Sequence, residues 1–167
     1  MIYISLGANV PSKAGPPLHT LRAAISVMPK LGIRVTGTSG FYHSDAWPNP
    51  ADPPFVNAVI SVATQKGPYE LLHGLLALER QFGRVRKTRW EPRTLDLDLI
   101  DYGGLISDAD ELMLPHPRMH ERPFVLVPLR DLAPTWRHPD TGAHINELLE
   151  NAGDGGVRLI EAAVQTG

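Results

Sequence analysis

The sequence predicts an α+β fold in which helices pack on an antiparallel sheet, and three observations predict it. Strand and helix periodicities follow one another over the first 102 residues in the order β-α-β-β-α-β. Proline and glycine, 16 and 15 of them, punctuate the boundaries. The chain has 167 residues, which suits one domain around one core.

Residues 1–7 alternate apolar and small side chains and end at Gly7, the first predicted strand. Asn9 to Pro17 is loop chemistry. Leu18, Leu21, Ala24, Ile25 and Met28 recur at helical spacing behind Pro16-Pro17, and Pro29 to Gly32 stop that helix. Ile33 to Tyr42 is rich in β-branched and aromatic residues, a strand interrupted at Gly37 and Gly40. Ser44 to Pro54 holds four prolines and reads as an irregular loop. Phe55 to Thr64 is a strand with Phe55, Asn57, Val59 and Ser61 on one face and Val56, Ala58, Ile60 and Val62 on the other.

Gly67-Pro68 opens a second helix with Leu71, Leu75, Leu78 and Phe82 as its buried stripe, closed by Gly83. Gly83 to Pro92 is a charged loop and Thr94 to Tyr102 a strand. A short strand pair is expected around 105–114, helices near Phe124 to Leu132 and Ile145 to Asn151, and a terminal strand at Val157 to Ala162. The order of the first half is the split βαβ, or ferredoxin-like, arrangement, with both helices on one sheet face and extra C-terminal elements. The expected organisation is a single domain over 1–167, with its core in 1–136 and a C-terminal extension over 137–167.

Net charge is -2 and the pI near 6.4, which argues against a general nucleic-acid binder. Cysteine is absent, so neither disulfides nor thiolate metal sites arise. No apolar run reaches the roughly 20 residues of a membrane span, and Met1 to Gly7 has no charged leader region. A cytoplasmic monomer acting on small molecules, without nucleic acid or membrane as partner, is the expectation.

The chemistry concentrates in Arg93-Thr94-Leu95-Asp96-Leu97-Asp98-Leu99-Ile100. Residues two apart in a strand point the same way, so Asp96 and Asp98 share a face while Leu95, Leu97 and Leu99 fill the other. Adjacent carboxylates repel one another, and a divalent cation removes that conflict. Magnesium suits hard oxygen ligands and takes one or two carboxylates together with phosphates and waters. Arg84, Arg86, Lys87, Arg89 and Arg93 lie just upstream, where cations would offset phosphate charge. The plain alternative is a solvated acidic strand edge paired with those arginines.

Phe55 and Asn57 put a ring beside an amide, able to stack on and pair with a flat heterocycle, or simply to pack. Gly7 permits close backbone approach or a plain turn. Trp90 in the basic loop can cover a base or its neighbours. His116, Arg122 and Phe124 form a second cluster, with two side chains able to contact phosphate and a second ring, or with His116 simply packed and hydrogen-bonded in the fold. No Gly-rich lysine loop and no dinucleotide fingerprint is present, so any nucleotide is held by other means.

Gly83-Arg84-Val85-Arg86, the Arg93 to Asp98 string and Leu114-Pro115-His116 follow the order and approximate spacing of the 6-hydroxymethyl-7,8-dihydropterin pyrophosphokinases, which this chain resembles from residue 2 to about 136. Ser5-Leu6-Gly7-Ala8-Asn9 and Phe55-Val56-Asn57-Ala58 fit as well. The resemblance implies transfer of the β,γ-pyrophosphate of ATP to a hydroxymethyl dihydropterin in folate synthesis, giving AMP. It implies two magnesium ions on Asp96 and Asp98, and Arg84 and Arg93 stabilising the transferring charge. It implies ATP contacts from Glu79, Arg86, Trp90, His116 and Arg122. Phe55 and Phe124 would sandwich the pterin, Asn57 would bond it, and Gly7 with the main chain of Ser44, Asp45 and Ala46 would help. Loops Leu6–Pro17, Ser44–Pro54 and Gly83–Pro92 would close over the substrates. Ser44-Asp45-Ala46 stands where many relatives have Thr-Pro-Pro, and Phe55 where tyrosine is common.

Two other readings compete. One is a different Asp-x-Asp transferase, nucleotidyl or glycosyl. The other is a non-catalytic nucleotide- or RNA-binding module, since such sheets also serve as RNA platforms.

Overall fold

The computed structural model describes residues 1–46, 49–83 and 94–163. Strands β1 (Ile2–Ala8), β2 (Arg34–Thr38), β3 (Phe41–Ser44), β4 (Phe55–Ala63), β5 (Asp96–Tyr102) and β8 (Arg158–Glu161) form the main sheet. Its order is β5-β1-β4-β3-β8, and β2 also pairs with β4. The pairings of the main sheet are antiparallel. Strands β6 (Ser107–Ala109) and β7 (Leu112–Leu114) make a separate hairpin. The helices are α1 (Pro17–Val27), α2 (Pro68–Gln81), α3 (Pro123–Leu132) and α4 (Ile145–Ala152).

Both α1 and α2 start at a proline, whose preset φ suits the first turn and whose missing N–H would have no helical partner there. They bury Leu21, Ala24, Leu71, Leu75 and Leu78 against Ile4, Leu6, Ala58, Ile60, Leu97 and Leu99 of the sheet. Leu97 and Leu99 are the apolar partners of the aspartate strand, as its alternation requires. A second cluster lies on the opposite face, where Val125, Leu126 and Leu129 of α3 and Ile145, Leu148 and Leu149 of α4 meet Tyr3, Val59 and Ile100. The C-terminal residues therefore contribute a helix to this second layer and an edge strand to the sheet.

Two expectations need correction. The strand expected over Ile33–Tyr42 is two strands, β2 and β3, both laid along β4. The break falls at Ser39-Gly40, where Ser39 N–H donates to Val59 O and the Ser39 hydroxyl accepts from Val59 N–H, so the chain leaves and rejoins the ladder. A Cβ on Gly40 would stand 3.0 Å from Glu161 O, so the backbone passes too close there for a side chain. The strand also runs on to Ser44, two residues beyond the expected end.

Among the described residues no helix is long and apolar enough to cross a membrane.

Candidate active site

Register brings the candidate residues into rows across one sheet face. Asp96 of β5 lies opposite Gly7 of β1, which lies opposite Asn57 of β4, which lies opposite Tyr42 of β3. The next row runs Asp98, Ser5, Val59. Ser44 stands opposite Phe55. Directly opposed residues share a face, so the aspartate pair, Gly7, Asn57 and Phe55 lie on one side of the sheet. That side is the one α3 and α4 cover further along the strands.

Asp96 and Asp98 are both half-buried. Glu79 of α2 is 2% exposed, and its Oε2 accepts a hydrogen bond from Leu97 N–H over 2.7 Å. The bond braces the edge strand between the two aspartates. Among the described residues no group of three or more His, Asp or Glu side chains converges to hold a metal unaided. Two same-face carboxylates fit a cation that completes its shell with water and phosphate oxygens, as magnesium does.

His116 lies beside this pair. Its backbone N–H donates to Ile100 O of β5 over 3.0 Å, which anchors it to the strand. Burial pushes its ring down to about 4, the Arg122 and Arg118 cations push the same way, and Asp96 acts in the opposite sense. The ring is therefore neutral at pH 7. Its Nδ1 accepts from Arg118 N–H at 3.3 Å, which leaves the proton on Nε2, a donor suited to a phosphate oxygen.

Arg122 begins α3, its carbonyl accepting from the N–H groups of Val125 and Leu126. The Arg122 guanidinium sits 5.7 Å from the centre of the Phe124 ring. Phe124 is half-buried against the α3–α4 cluster. Asn57 and Ser44 are buried and bonded to one another, the Ser44 hydroxyl donating to Asn57 Oδ1 at 2.6 Å. Asp45 is exposed and 3.7 Å from the Arg158 guanidinium, while Ala46 is buried. Arg84, Arg86, Trp90 and Arg93 lie outside the described residues.

Residues 3–134 match the family of 7,8-dihydro-6-hydroxymethylpterin-pyrophosphokinase (HPPK). The chain belongs to the HPPK family. It is 43% identical to a 2-amino-4-hydroxy-6-hydroxymethyldihydropteridine pyrophosphokinase of Synechocystis sp., over 88% of this chain and 73% of that one. It is also 43% identical to the Pseudomonas aeruginosa protein of the same name, over 89% of each. Among solved structures it resembles Plasmodium falciparum HPPK-DHPS with a TM-score of 0.65 at 11% identity, a likeness of fold. The match covers 90% of this chain and 44% of that longer one.

Three residues of this HPPK chain escaped the sequence reading. Asn9, 5% exposed, donates from Nδ2 to Pro53 O at 3.3 Å and ties the loop after β1 to the proline loop before β4. Asp131 of α3 accepts from the Tyr42 hydroxyl at 2.6 Å and from Gly40 N–H at 3.0 Å, fastening α3 to β3. Burial and then this bond raise the Tyr42 phenol above its ordinary value, so it remains a donor. Only Asn9, within the Ser5 to Asn9 string, carried a local signal. Tyr42 and Asp131 are 89 residues apart, and nothing in either neighbourhood points to the other.

Proposed function

We propose that this chain transfers the β,γ-pyrophosphate of ATP to the hydroxymethyl group of 6-hydroxymethyl-7,8-dihydropterin, as a diphosphotransferase of folate synthesis. The observation that carries the reading is the row Asp96, Gly7, Asn57, with Asp98 and Phe55 beside it on the same sheet face. It puts a carboxylate pair suited to a metal-bound polyphosphate next to a ring and an amide suited to a heterocycle. The substrate hydroxyl oxygen would form a bond to the β-phosphorus. The bond from that phosphorus to the α,β-bridging oxygen would break, AMP would leave, and the hydroxyl proton would pass to solvent.

Such transfer depends on positioning and charge stabilisation and needs no covalent nucleophile. Asp96 and Asp98 would hold magnesium, two ions by family resemblance, and bound magnesium would offset the phosphate charge. His116 through Nε2–H, together with Arg122, would contact ATP, and Glu79 would keep the aspartate strand in place. Arg84, Arg86, Trp90 and Arg93 would complete the ATP side. Phe55 and Phe124 would flank the pterin, with Asn57, Gly7 and the segment Ser44 to Ala46 at its edge. We also read the order β5-β1-β4, with β2 and β3 beyond it, as the ferredoxin-like arrangement, and the protein as a monomer.

Incubation with ATP, magnesium and the hydroxymethyl dihydropterin tests the proposal. Mass spectrometry should find AMP and the dihydropterin pyrophosphate. ADP alone, inorganic pyrophosphate alone or no product would reject it, the second outcome favouring a nucleotidyl transferase.

A further inference from the structure

The residues that join α4 to β8, Gly153 to Val157, meet two segments of the candidate site. One is Pro123, the first residue of α3, which stands between Arg122 and Phe124. A Cβ on Gly155 would lie 2.9 Å from Pro123 Cγ, 3.2 Å from its Cβ and 3.7 Å from its Cδ. The other is Asp45, which follows Ser44 at the end of β3. A Cβ on Gly156 would lie 3.6 Å from Asp45 Oδ2, and Arg158 Nη2 lies 3.7 Å from Asp45 Oδ1. Two consecutive glycines thus meet the two segments with bare backbone.

The turn is held from both ends. Gly153 N–H donates to Leu149 O of α4 at 2.8 Å, and α4 packs on α3. Arg158 stands opposite His43, so β8 carries the chain back along β3. Within the turn, Asp154 Oδ1 accepts from Gly156 N–H at 3.2 Å and Asp154 O accepts from Val157 N–H at 3.0 Å. Backbone fixed in this way has little freedom to yield. Pro123 is constrained as well, since its ring closes on its own backbone and is not the free end of a long side chain. A methyl group added to Gly155 would therefore displace the start of α3, and Phe124 with it.

Gly153 supplies the comparison. Its φ is +76° and that of Gly155 is +58°, so a side chain strains either backbone. Their surroundings differ: among the described residues nothing lies within 4 Å of a Cβ on Gly153.

We propose that Gly155 is a positioning residue for the heterocycle site: its bare backbone against Pro123 lets the start of α3 lie close enough for Phe124 to close on a flat ring opposite Phe55. The role rests on the dihydropterin reading and adds to it a determinant outside residues 3–134, the span that matches the family. The Arg158–Asp45 pair is largely exposed and adds little by itself.

The test measures urea midpoints and the dissociation constant of the full chain for 6-hydroxymethylpterin, with magnesium and a non-hydrolysable ATP analogue present. Gly155→Ala and Gly153→Ala should both lower the midpoint. Only Gly155→Ala should weaken pterin binding, by roughly three- to tenfold, the loss of one ring contact. The double variant Gly155→Ala/Pro123→Ala takes away the Cγ atom and should recover most of that affinity, and it carries the test if Gly155→Ala alone does not fold. A Gly155 that served stability alone would lower the midpoint and leave the affinity of the folded protein unmoved. Wild-type affinity in Gly155→Ala, an equal loss in Gly153→Ala, or no recovery of folding or affinity in the double variant overturns the proposal. A wild type that binds no pterin and releases no AMP in the product assay rejects the dihydropterin reading, and this role with it.

Discussion

One face of the main sheet ends in two different ways. At Asp96, Asp98, Gly7 and Asn57 it presents carboxylates, a bare backbone and an amide. A step or two along the same strands, at Tyr3, Val59 and Ile100, it is sealed under α3 and α4. Val59 is fully buried although it shares a face and a cross-strand row with Asp98, two strands away. Strand alternation alone treats the two ends alike. What separates them is cover: the chain returns after residue 122 as an amphipathic helix and lies over one end only. A β-bulge assists, because β5 places both Ile100 and Asp101 against the single step from Ile4 to Tyr3 of β1. Ile100 then packs in the cluster and Asp101 accepts from Trp136 Nε1 at 3.0 Å. The sealed end holds the fold together, and the open end carries the candidate site residues.

The sharpest way to break this division is at the open end. Asp98→Ala should lower AMP release on the order of 10³-fold or more, since charge stabilisation is the main demand of the reaction. The urea midpoint should stay near that of wild type, because the substitution removes one of two repelling carboxylates. Turnover retained at saturating magnesium would count against the aspartate's role.

At the sealed end the effects should reverse. Ile145→Ala empties a fully buried position of α4 and should cost about 2–5 kcal/mol of stability by urea unfolding. The kcat of the folded fraction should hardly change. A large kcat loss at full folding would mean that the two ends are coupled.

Trp136→Phe is a smaller probe of the same end. It keeps a ring but leaves Asp101 Oδ2 without its buried donor, a loss of about 1–3 kcal/mol. The pterin and ATP Michaelis constants should not move.

His116 offers the least effect and one that depends on pH. Its folded value of about 4 lies below the ordinary 6.5, so between those values the unfolded chain takes up a proton that the folded ring refuses. Stability contributed by the neutral ring is full above pH 6.5 and declines as pH falls through 4. Urea midpoints at pH 7 and 4.5 should therefore differ less in His116→Asn than in wild type. His138, also lowered by burial, acts in both proteins and cancels. An equal loss in both would place the proton elsewhere.

Periodicity was enough to foresee that Asp96 and Asp98 share a face while Leu97 and Leu99 go to the core, since a two-residue repeat is a property of the strand backbone itself. It was likewise enough for α1 and α2, whose proline starts and leucine stripes are local signals. Where it failed, the deciding contact was distant. The break between β2 and β3 follows from Ser39 bonding Val59 and from the closeness of β8 at Gly40. The bond from Leu97 N–H to Glu79 likewise pairs a helix with an edge strand 18 residues on, beyond the reach of any local pattern.

By itself, then, the sequence determined which side chains share a face and which strings mark the family, because both are set within a few residues of chain. Only the tertiary structure decided which rows stand opposite one another, which end of the face is roofed and why His116 is neutral. Register, cover and desolvation depend on groups tens of residues apart, and no short window of sequence contains them.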